Sequence, residues 1–231
     1  MRQSAVRIMP EKLKLLTIPN ISLCIPSCSI VEFAGLSDLA SSMYKVMVEN
    51  SGVGLAAPQI GYNIQMLIID KDPMFRQSQL GHFACEDFFC LVNPTLQPTK
   101  SNKIQIVDQE GCLSFPGTRD KVDRYEEVEI SAVNVKGEPS RFIIDGLVAT
   151  ILQHEIDHLV GILFPFRSSS SDTWFKYSKN KMEMDRCLSV MQKNSTRTCG
   201  HFMVSNLLEF CEENSIKFDE TKLARVKKYC G

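Results

Sequence analysis

The spacing of apolar side chains predicts helices in several parts of the chain. Residues 36–50 carry apolar residues three or four positions apart, which is the pattern of an amphipathic helix. Residues 146–160 form the clearest helical segment, and Gly161 follows where a helix typically ends. One face of that segment carries Leu147, Ile151, His154 and His158. The remainder of the chain predicts further helices near 172–193, 203–214 and 219–229.

Shorter segments predict strands. Residues 127–135 alternate apolar and charged side chains, and a turn at 136–139 joins them to residues 140–145, which predicts a β-hairpin. Residues 64–70 and 89–96 also predict strands. Several strands followed by a buried helix indicate an α+β fold, with antiparallel or mixed sheets packed around that helix.

A run of four serines at 168–171 predicts a linker. We therefore expect a main domain at residues 1–166 and a helical C-terminal extension at 167–231. The extension carries 12 Lys and Arg against 8 Asp and Glu, so it is net basic. A basic helical surface can dock on ribosomal RNA or protein, although a solvated helix of mixed charge has the same composition.

The overall composition excludes several classes of protein. The chain has 231 residues, 44% hydrophobic and 23% charged, which is ordinary for a soluble globular protein. A net charge of −1 excludes a polycation that coats nucleic acid. The longest charge-free stretch, residues 15–31, contains two prolines, so we expect no membrane span and no secretory signal peptide.

The nine cysteines include no C-x-x-C pair, which argues against zinc-ribbon and thioredoxin-like sites. Their number is odd and no secretory signal is expected. We therefore interpret them as mostly reduced thiols in a reducing compartment.

The strongest chemical signal is the segment 154–158, whose sequence is HEIDH. Two histidines four positions apart on a helix point the same way and can bind one metal ion. The glutamate then lies beside the open coordination position, where it can transfer protons. The downstream position of a third histidine in long zinc-peptidase motifs holds Phe164, which cannot bind metal. A downstream third ligand is possible at Glu183, but it lies past the serine run with no supporting motif. Upstream, Cys112 in a tight loop is a candidate that, with the two histidines, leaves one tetrahedral position for water.

At this point the sequence resembles the peptide deformylase family, over about residues 15–166. Three blocks match in the family's order: Gly52-Val53-Gly54-Leu55-Ala56-Ala57-Pro58-Gln59, Glu110-Gly111-Cys112-Leu113-Ser114, and Gln153-His154-Glu155-Ile156-Asp157-His158. The resemblance implies a metallohydrolase that removes the N-formyl group from the N-terminal formylmethionine of newly synthesised polypeptides.

The resemblance also implies residue roles. Cys112, His154 and His158 would bind the metal, and Glu155 would be the general acid and base for a metal-bound hydroxide. The side chain of Gln59 and the backbone N–H of Leu113 would stabilise the oxyanion. The substrate would contact Val53, Gly54, Gly111, Leu147 and Ile151. Glu110, paired with Arg119, would orient a ligand or water, and Asp157 could pair with Arg124.

The expected cofactor is one divalent ion. The family favours Fe²⁺ in vivo, and Zn²⁺, Ni²⁺ or Co²⁺ also suit one thiolate and two imidazoles. The expected partners are formylmethionyl nascent peptides and, through the extension, the ribosome, with no membrane and no sequence-specific nucleic acid. The expected location is a bacterial cytoplasm, with an organelle matrix as the alternative.

Two alternatives remain open from the sequence. A zinc endopeptidase of the HExxH class is disfavoured by Phe164 and by the block around Cys112. A non-catalytic relative that binds nascent chains or the ribosome is disfavoured by the intact Gln59 and Glu155.

Overall fold

A computed structural model describes residues 13–71, 78–168, 181–195, 197 and 202–230. Most of the predicted serine linker and the first part of the helix predicted at 172–193 lie outside the described residues.

The strands are β1 (Gly54–Ala56), β2 (Met66–Asp70), β3 (Phe88–Pro98), β4 (Ile104–Cys112), β5 (Phe115–Tyr125), β6 (Glu127–Val133) and β7 (Pro139–Asp145). Five of them form a larger antiparallel sheet in the order β1-β2-β3-β6-β7. Separately, β4 and β5 form a two-stranded antiparallel hairpin. All four predicted strands are present, whereas β1, β4 and β5 were not predicted.

Helices lie on both sides of the larger sheet. Those of the main domain begin and end within one residue of the predicted bounds. The helices are α1 (Leu36–Glu49), α2 (Gly146–Leu159), α3 (Lys181–Asn194), α4 (Val204–Glu213) and α5 (Glu220–Cys230). The predicted α+β fold with antiparallel sheets is therefore confirmed. None of the described helices is both long and apolar enough to cross a membrane.

The part of the larger sheet formed by β1, β2 and the first residues of β3 is buried on both faces, and an apolar cluster lies on each side of it, whereas β6 and β7 bury one face only. Along β2, Leu67 and Ile69 point to one cluster and Ile68 points to the other, as the alternation of a strand requires. The first cluster also contains α2, of which all residues from Val148 to Leu159 are buried. The chemistry-bearing face of α2 therefore lies inside the protein.

The C-terminus of α2 has the hydrogen bonds of a Schellman motif. Gly161 has a φ of +74°, its N–H donates to the His158 carbonyl, and the Ile162 N–H donates to the Asp157 carbonyl. Gly161 also lies against the N-terminal segment, because a Cβ atom added to it would be 2.5 Å from the Cys24 carbonyl oxygen. The predicted helix-ending role of Gly161 is confirmed.

The C-terminal helices pack against the N-terminal segment of the chain. The Asn194 side chain donates to the Cys24 carbonyl over 2.9 Å, and the Val31 N–H donates to the Tyr229 carbonyl over 2.8 Å. Apolar residues of α3, α4 and α5 belong to the same cluster as those of α1. The division of the chain at residue 166 stays a prediction.

Cysteines contribute to this packing. The Cys24 thiol contacts that of Cys187, and the Cys28 thiol contacts that of Cys230, so each pair joins the N-terminal segment to a C-terminal helix. The eight cysteines within the described residues are free thiols.

We expect Gly161→Ala to destabilise the protein by at least about 2 kcal/mol more than Gly117→Ala. Both glycines have left-handed backbone, with φ of +74° and +73°, so both variants carry the same conformational strain. Only the Gly161 variant also forces its Cβ into neighbouring backbone, whereas nothing lies within 4 Å of a Cβ at Gly117. Urea unfolding of the two variants measures the difference, and equal losses would contradict the close packing at Gly161.

Candidate metal centre

Three side chains capable of binding metal meet between α2 and the β4–β5 hairpin. His154 and His158 lie one turn apart on α2, and Cys112 lies at the end of β4, before the tight turn into β5. One ligand atom from each residue lies within 4.8 Å of the others. The Cys112 Sγ and His158 Nε2 atoms are 3.2 Å apart. The structure thus brings together the three residues that the sequence predicts as ligands.

The distances between these atoms fit a single tetrahedral ion. A Zn–S bond of about 2.3 Å and a Zn–N bond of about 2.0 Å place two such ligands about 3.5 Å apart. The Nδ1 atom of His154 is 2.7 Å from Glu110 Oε1, which leaves its Nε2 atom for a metal. Three protein donors leave one position for water or substrate.

A buried ion-pair network lies behind His154. Arg124, only 4% exposed, donates to both carboxylate oxygens of Glu110, over 3.0 and 2.6 Å, and to Asp157 over 2.6 Å. Arg167 donates to the other oxygen of Asp157 over 2.8 Å. Burial alone would raise the pKa of Glu110, but hydrogen bonds from His154 and Arg124 lower it to about 2. Glu110 therefore stays a carboxylate and accepts a hydrogen bond from His154.

The predicted pairing of Arg119 with Glu110 is wrong. Arg119 is exposed and donates to the Gln109 carbonyl over 3.0 Å, while Arg124 takes the place beside Glu110. Successive residues of a strand point to opposite faces. Of the two arginines, Arg124 lies on the inner face of β5 and Arg119 on the outer face. The predicted contact of Arg124 with Asp157 is confirmed.

Glu155 is buried against the first residue of β1, Gly54. A Cβ atom on Gly54 would lie 2.5 Å from Glu155 Oε1, so only glycine permits this approach. Burial raises the pKa of Glu155 to about 7, and the nearby charge of His154 opposes this shift. The Glu155 Oε2 atom is buried and has no hydrogen-bond partner among the described residues. A buried carboxylate oxygen of this kind is suited to contact with a water or a substrate.

Gln59 lies on the same side of the site. Its Oε1 atom accepts from the Ala56 N–H over 2.7 Å, and its Nε2 atom donates to Ser114 Oγ over 3.2 Å. The Nε2 atom is also 3.7 Å from Cys112 Sγ, so the amide donor faces the predicted metal site. Leu113 lies in the turn after Cys112, and a Cβ atom on Gly52 would be 2.6 Å from its side chain.

The other residues predicted to contact substrate differ in their surroundings. Val53 and Leu147 are 48% and 54% exposed, so simple core packing does not explain them. Ile151 is buried in the apolar cluster around α2, one helical turn before Glu155. Gly111 pairs with Arg119 across the hairpin.

Sequence reasoning gave no role to Ser114 or Arg167. Ser114 was visible in the second matching block, but a serine there is also typical of an ordinary tight turn. Arg167 lies ten residues beyond Asp157 in the chain, and no helical or strand spacing connects the two.

Comparisons with known proteins agree on one family. The family model described as polypeptide deformylase matches residues 12–174. A peptide deformylase of Aquifex aeolicus is 38% identical over 129 residues, which are 56% of this chain and 70% of that protein. The chloroplastic peptide deformylase 1B of Oryza sativa is 38% identical over 134 residues, 58% of this chain and 46% of that protein.

A solved structure has the same fold. It is the peptide deformylase from Synechococcus elongatus in complex with actinonin, with a TM-score of 0.60 and 31% identity. The alignment covers 82% of this chain and 95% of that one.

We expect Arg124→Met to lower the free energy of unfolding by about 3–5 kcal/mol, because it leaves two buried carboxylates without their shared partner. The exposed Arg119→Met should change it by no more than about 0.5 kcal/mol. Urea unfolding at neutral pH measures both variants. Similar small losses in both would show that Arg124 does not compensate the buried charges.

Proposed function

The chain belongs to the polypeptide deformylase family, whose members remove the formyl group from N-terminal formylmethionine, and we propose that its metal ion is held by Cys112, His154 and His158. The observation that carries this proposal is the clustering of one thiol and two imidazoles within 4.8 Å, with one position left open. A divalent ion held by these three side chains would act as a Lewis acid that polarises the formyl oxygen and makes a water in the fourth position more acidic.

We assign proton transfer to Glu155. Its carboxylate follows His154 directly on α2, and its buried Oε2 atom has no other partner among the described residues. In this position Glu155 accepts the proton of the attacking water and gives it to the nitrogen that leaves. Because Gly54 has no side chain, the Glu155 carboxylate can lie directly against β1.

We assign oxyanion stabilisation to the Gln59 side chain and the Leu113 backbone N–H. In this proposal the formyl carbon lies between the metal and the Glu155 carboxylate. The Gln59 amide nitrogen faces Cys112, so it points toward that place. A preorganised donor aimed at a developing negative charge contributes about 10²–10³-fold in rate.

The substrate peptide would lie along β1. Among the described strands β1 pairs with β2 alone, so its other edge, beside Glu155, could pair with an extended peptide, apart from the Ala56 N–H, which donates to Gln59 Oε1. We place the methionine side chain against Val53, Gly54, Gly111, Leu147 and Ile151. The exposure of Val53 and Leu147 supports this placement, because an apolar ligand would cover both.

Glu110 orients His154 in this proposal, with Arg124 rather than Arg119 as its partner. The hydrogen bond to His154 Nδ1 selects the ring orientation that presents Nε2 to the metal. We propose Fe²⁺ as the ion used in vivo and Zn²⁺, Ni²⁺ or Co²⁺ as substitutes.

Residues 167–231 are proposed as an extension to the deformylase domain at 1–166. Its basic charge supports contact with the ribosome, but part of that charge is engaged within the molecule. Lys222 donates to Ser22 Oγ over 2.7 Å, and the Arg225 guanidinium lies 4.9 Å from the centre of the Tyr62 ring. The relatives come from bacteria and a chloroplast, and we propose a bacterial cytoplasm or an organelle matrix as the location.

We expect Glu155→Ala to lower formate release from formyl-Met-Ala peptides by about 10²–10⁴-fold or more, because the variant lacks the group that moves the proton. Metal content should stay at one ion per chain. Glu126→Ala, an exposed glutamate on the β5–β6 turn, is the matched control and should keep activity. Full activity in Glu155→Ala would exclude the proposed role.

Removal of the thiolate should remove the metal. We expect Cys112→Ser to lose most of its bound ion on dialysis, whereas Cys85→Ser, at a half-buried cysteine elsewhere, should retain it. Metal analysis of protein prepared anaerobically with Fe²⁺ or Zn²⁺ measures retention, and formate release compares the two forms. The iron form should be more active and should lose activity in air. Equal metal retention by both variants would exclude Cys112 as a ligand.

A further inference from the structure

The carboxamide of Gln59 is held at both ends. The side chain is 1% exposed, and its Oε1 atom accepts from the Ala56 N–H over 2.7 Å. A backbone N–H can be satisfied only by the oxygen end of an amide, so this bond determines which end carries the nitrogen. The Nε2 atom therefore points to Ser114 and Cys112.

Ser114 is the hydrogen-bond acceptor that fixes the nitrogen end. It is 0% exposed, and its Oγ atom lies 3.2 Å from Gln59 Nε2. An amide nitrogen has two hydrogens, so one can bond to Ser114 while the other remains directed at the site. With the oxygen bond alone, the nitrogen end could still swing about that bond.

The backbones of the two residues are tied to one segment. The Leu16 N–H donates to the Gln59 carbonyl over 2.7 Å, and the Ile18 N–H donates to the Ser114 carbonyl over 2.9 Å. Gln59 and Ser114 come from different blocks of the sequence, and this segment fixes the distance between them. The Ser114 hydroxyl is therefore a stationary reference for the Gln59 amide.

We propose that Ser114 is a positioning residue, whose hydroxyl holds the Gln59 carboxamide with one N–H directed at the oxyanion that develops from the formyl group. This inference rests on the proposed function of Gln59. Ser114 touches neither substrate nor metal in this role, and acts only through Gln59.

A double-mutant cycle tests the proposal on the metal-loaded full chain. We expect Ser114→Ala to lower kcat about 10-fold with little change in KM, because a donor displaced by a fraction of an ångström stabilises the transition state less well. Gln59→Ala should lower kcat about 10²–10³-fold. The double variant should be no slower than Gln59→Ala, since Ser114 then has no side chain to position. Ser114→Thr, which keeps the hydroxyl, should recover part of the lost kcat.

Ser29→Ala is the matched control. Ser29 is also buried, and its Oγ accepts from the Phe202 N–H over 2.9 Å, far from Gln59 in the chain. The Ser29→Ala variant removes a buried hydroxyl and its hydrogen bond but changes no residue of the proposed site, so its kcat should equal that of the wild-type protein. Metal content is measured for every variant, and should stay at one ion per chain.

Side-chain amide NMR gives a readout that does not depend on turnover. The Gln59 amide signal is identified by its loss in Gln59→Ala. Its hydrogen exchange should be about 10-fold or more faster in Ser114→Ala and unchanged in Ser29→Ala, because the exchange rate follows the opening of the hydrogen bond.

The outcomes separate the two proposals. An equal loss of kcat in both backgrounds of the cycle, or unchanged exchange of the Gln59 amide in Ser114→Ala, would overturn the positioning role. If the wild-type protein released no formate, the proposed function would fail. In that case the exchange measurement alone would decide whether Ser114 holds Gln59.

Discussion

The fold depends on a carboxylate that must remain ionised inside the core. Glu110 accepts a hydrogen bond from His154. It stays charged in the core because two hydrogen bonds from Arg124 compensate for the loss of hydration. Arg124 also bonds Asp157 on α2, so one guanidinium joins the hairpin strand β5 to the helix that carries both histidines. The ion pairs therefore hold together the two elements that carry the three candidate metal ligands.

The second constraint is space, and glycine provides it. Residues 52–54, which lead into β1, approach the Cys112 turn at Gly52 and the Glu155 carboxylate at Gly54. A Cβ atom on Gly52 would lie 2.6 Å from Leu113, and one on Gly54 would lie 2.5 Å from Glu155. A larger residue at either position would push the strand edge away from the site. The buried ion pairs hold α2 against the β4–β5 hairpin. Because Gly52 and Gly54 have no side chains, residues 52–54 can pack against both elements.

The sequence predicted the helices of the main domain and the strands with strong alternation, because each depends on local spacing. The same spacing made His154 and His158 candidate ligands, whereas Cys112 was found through its block, and the structure places the three side chains together. It did not predict β4 and β5, whose exposed residues such as Ile104 and Ile106 break the apolar-in pattern that marks a strand. It also assigned the wrong arginine to Glu110. The choice between Arg119 and Arg124 depends on which face of β5 points inward. Because β5 itself was not predicted, its inward face could not be predicted.

The C-terminal helices are connected to the candidate site through the N-terminal segment of the chain. Asn194 and Tyr229 of these helices hydrogen-bond to the N-terminal segment at Cys24 and Val31. The same N-terminal segment, a few residues earlier, holds the backbones of Gln59 and Ser114. A polar side chain can be aimed only as accurately as the backbone beneath it is fixed. The extension therefore packs against the segment that connects two blocks of the site, and the described contacts use its apolar faces, the Asn194 side chain and the Tyr229 carbonyl rather than its net charge.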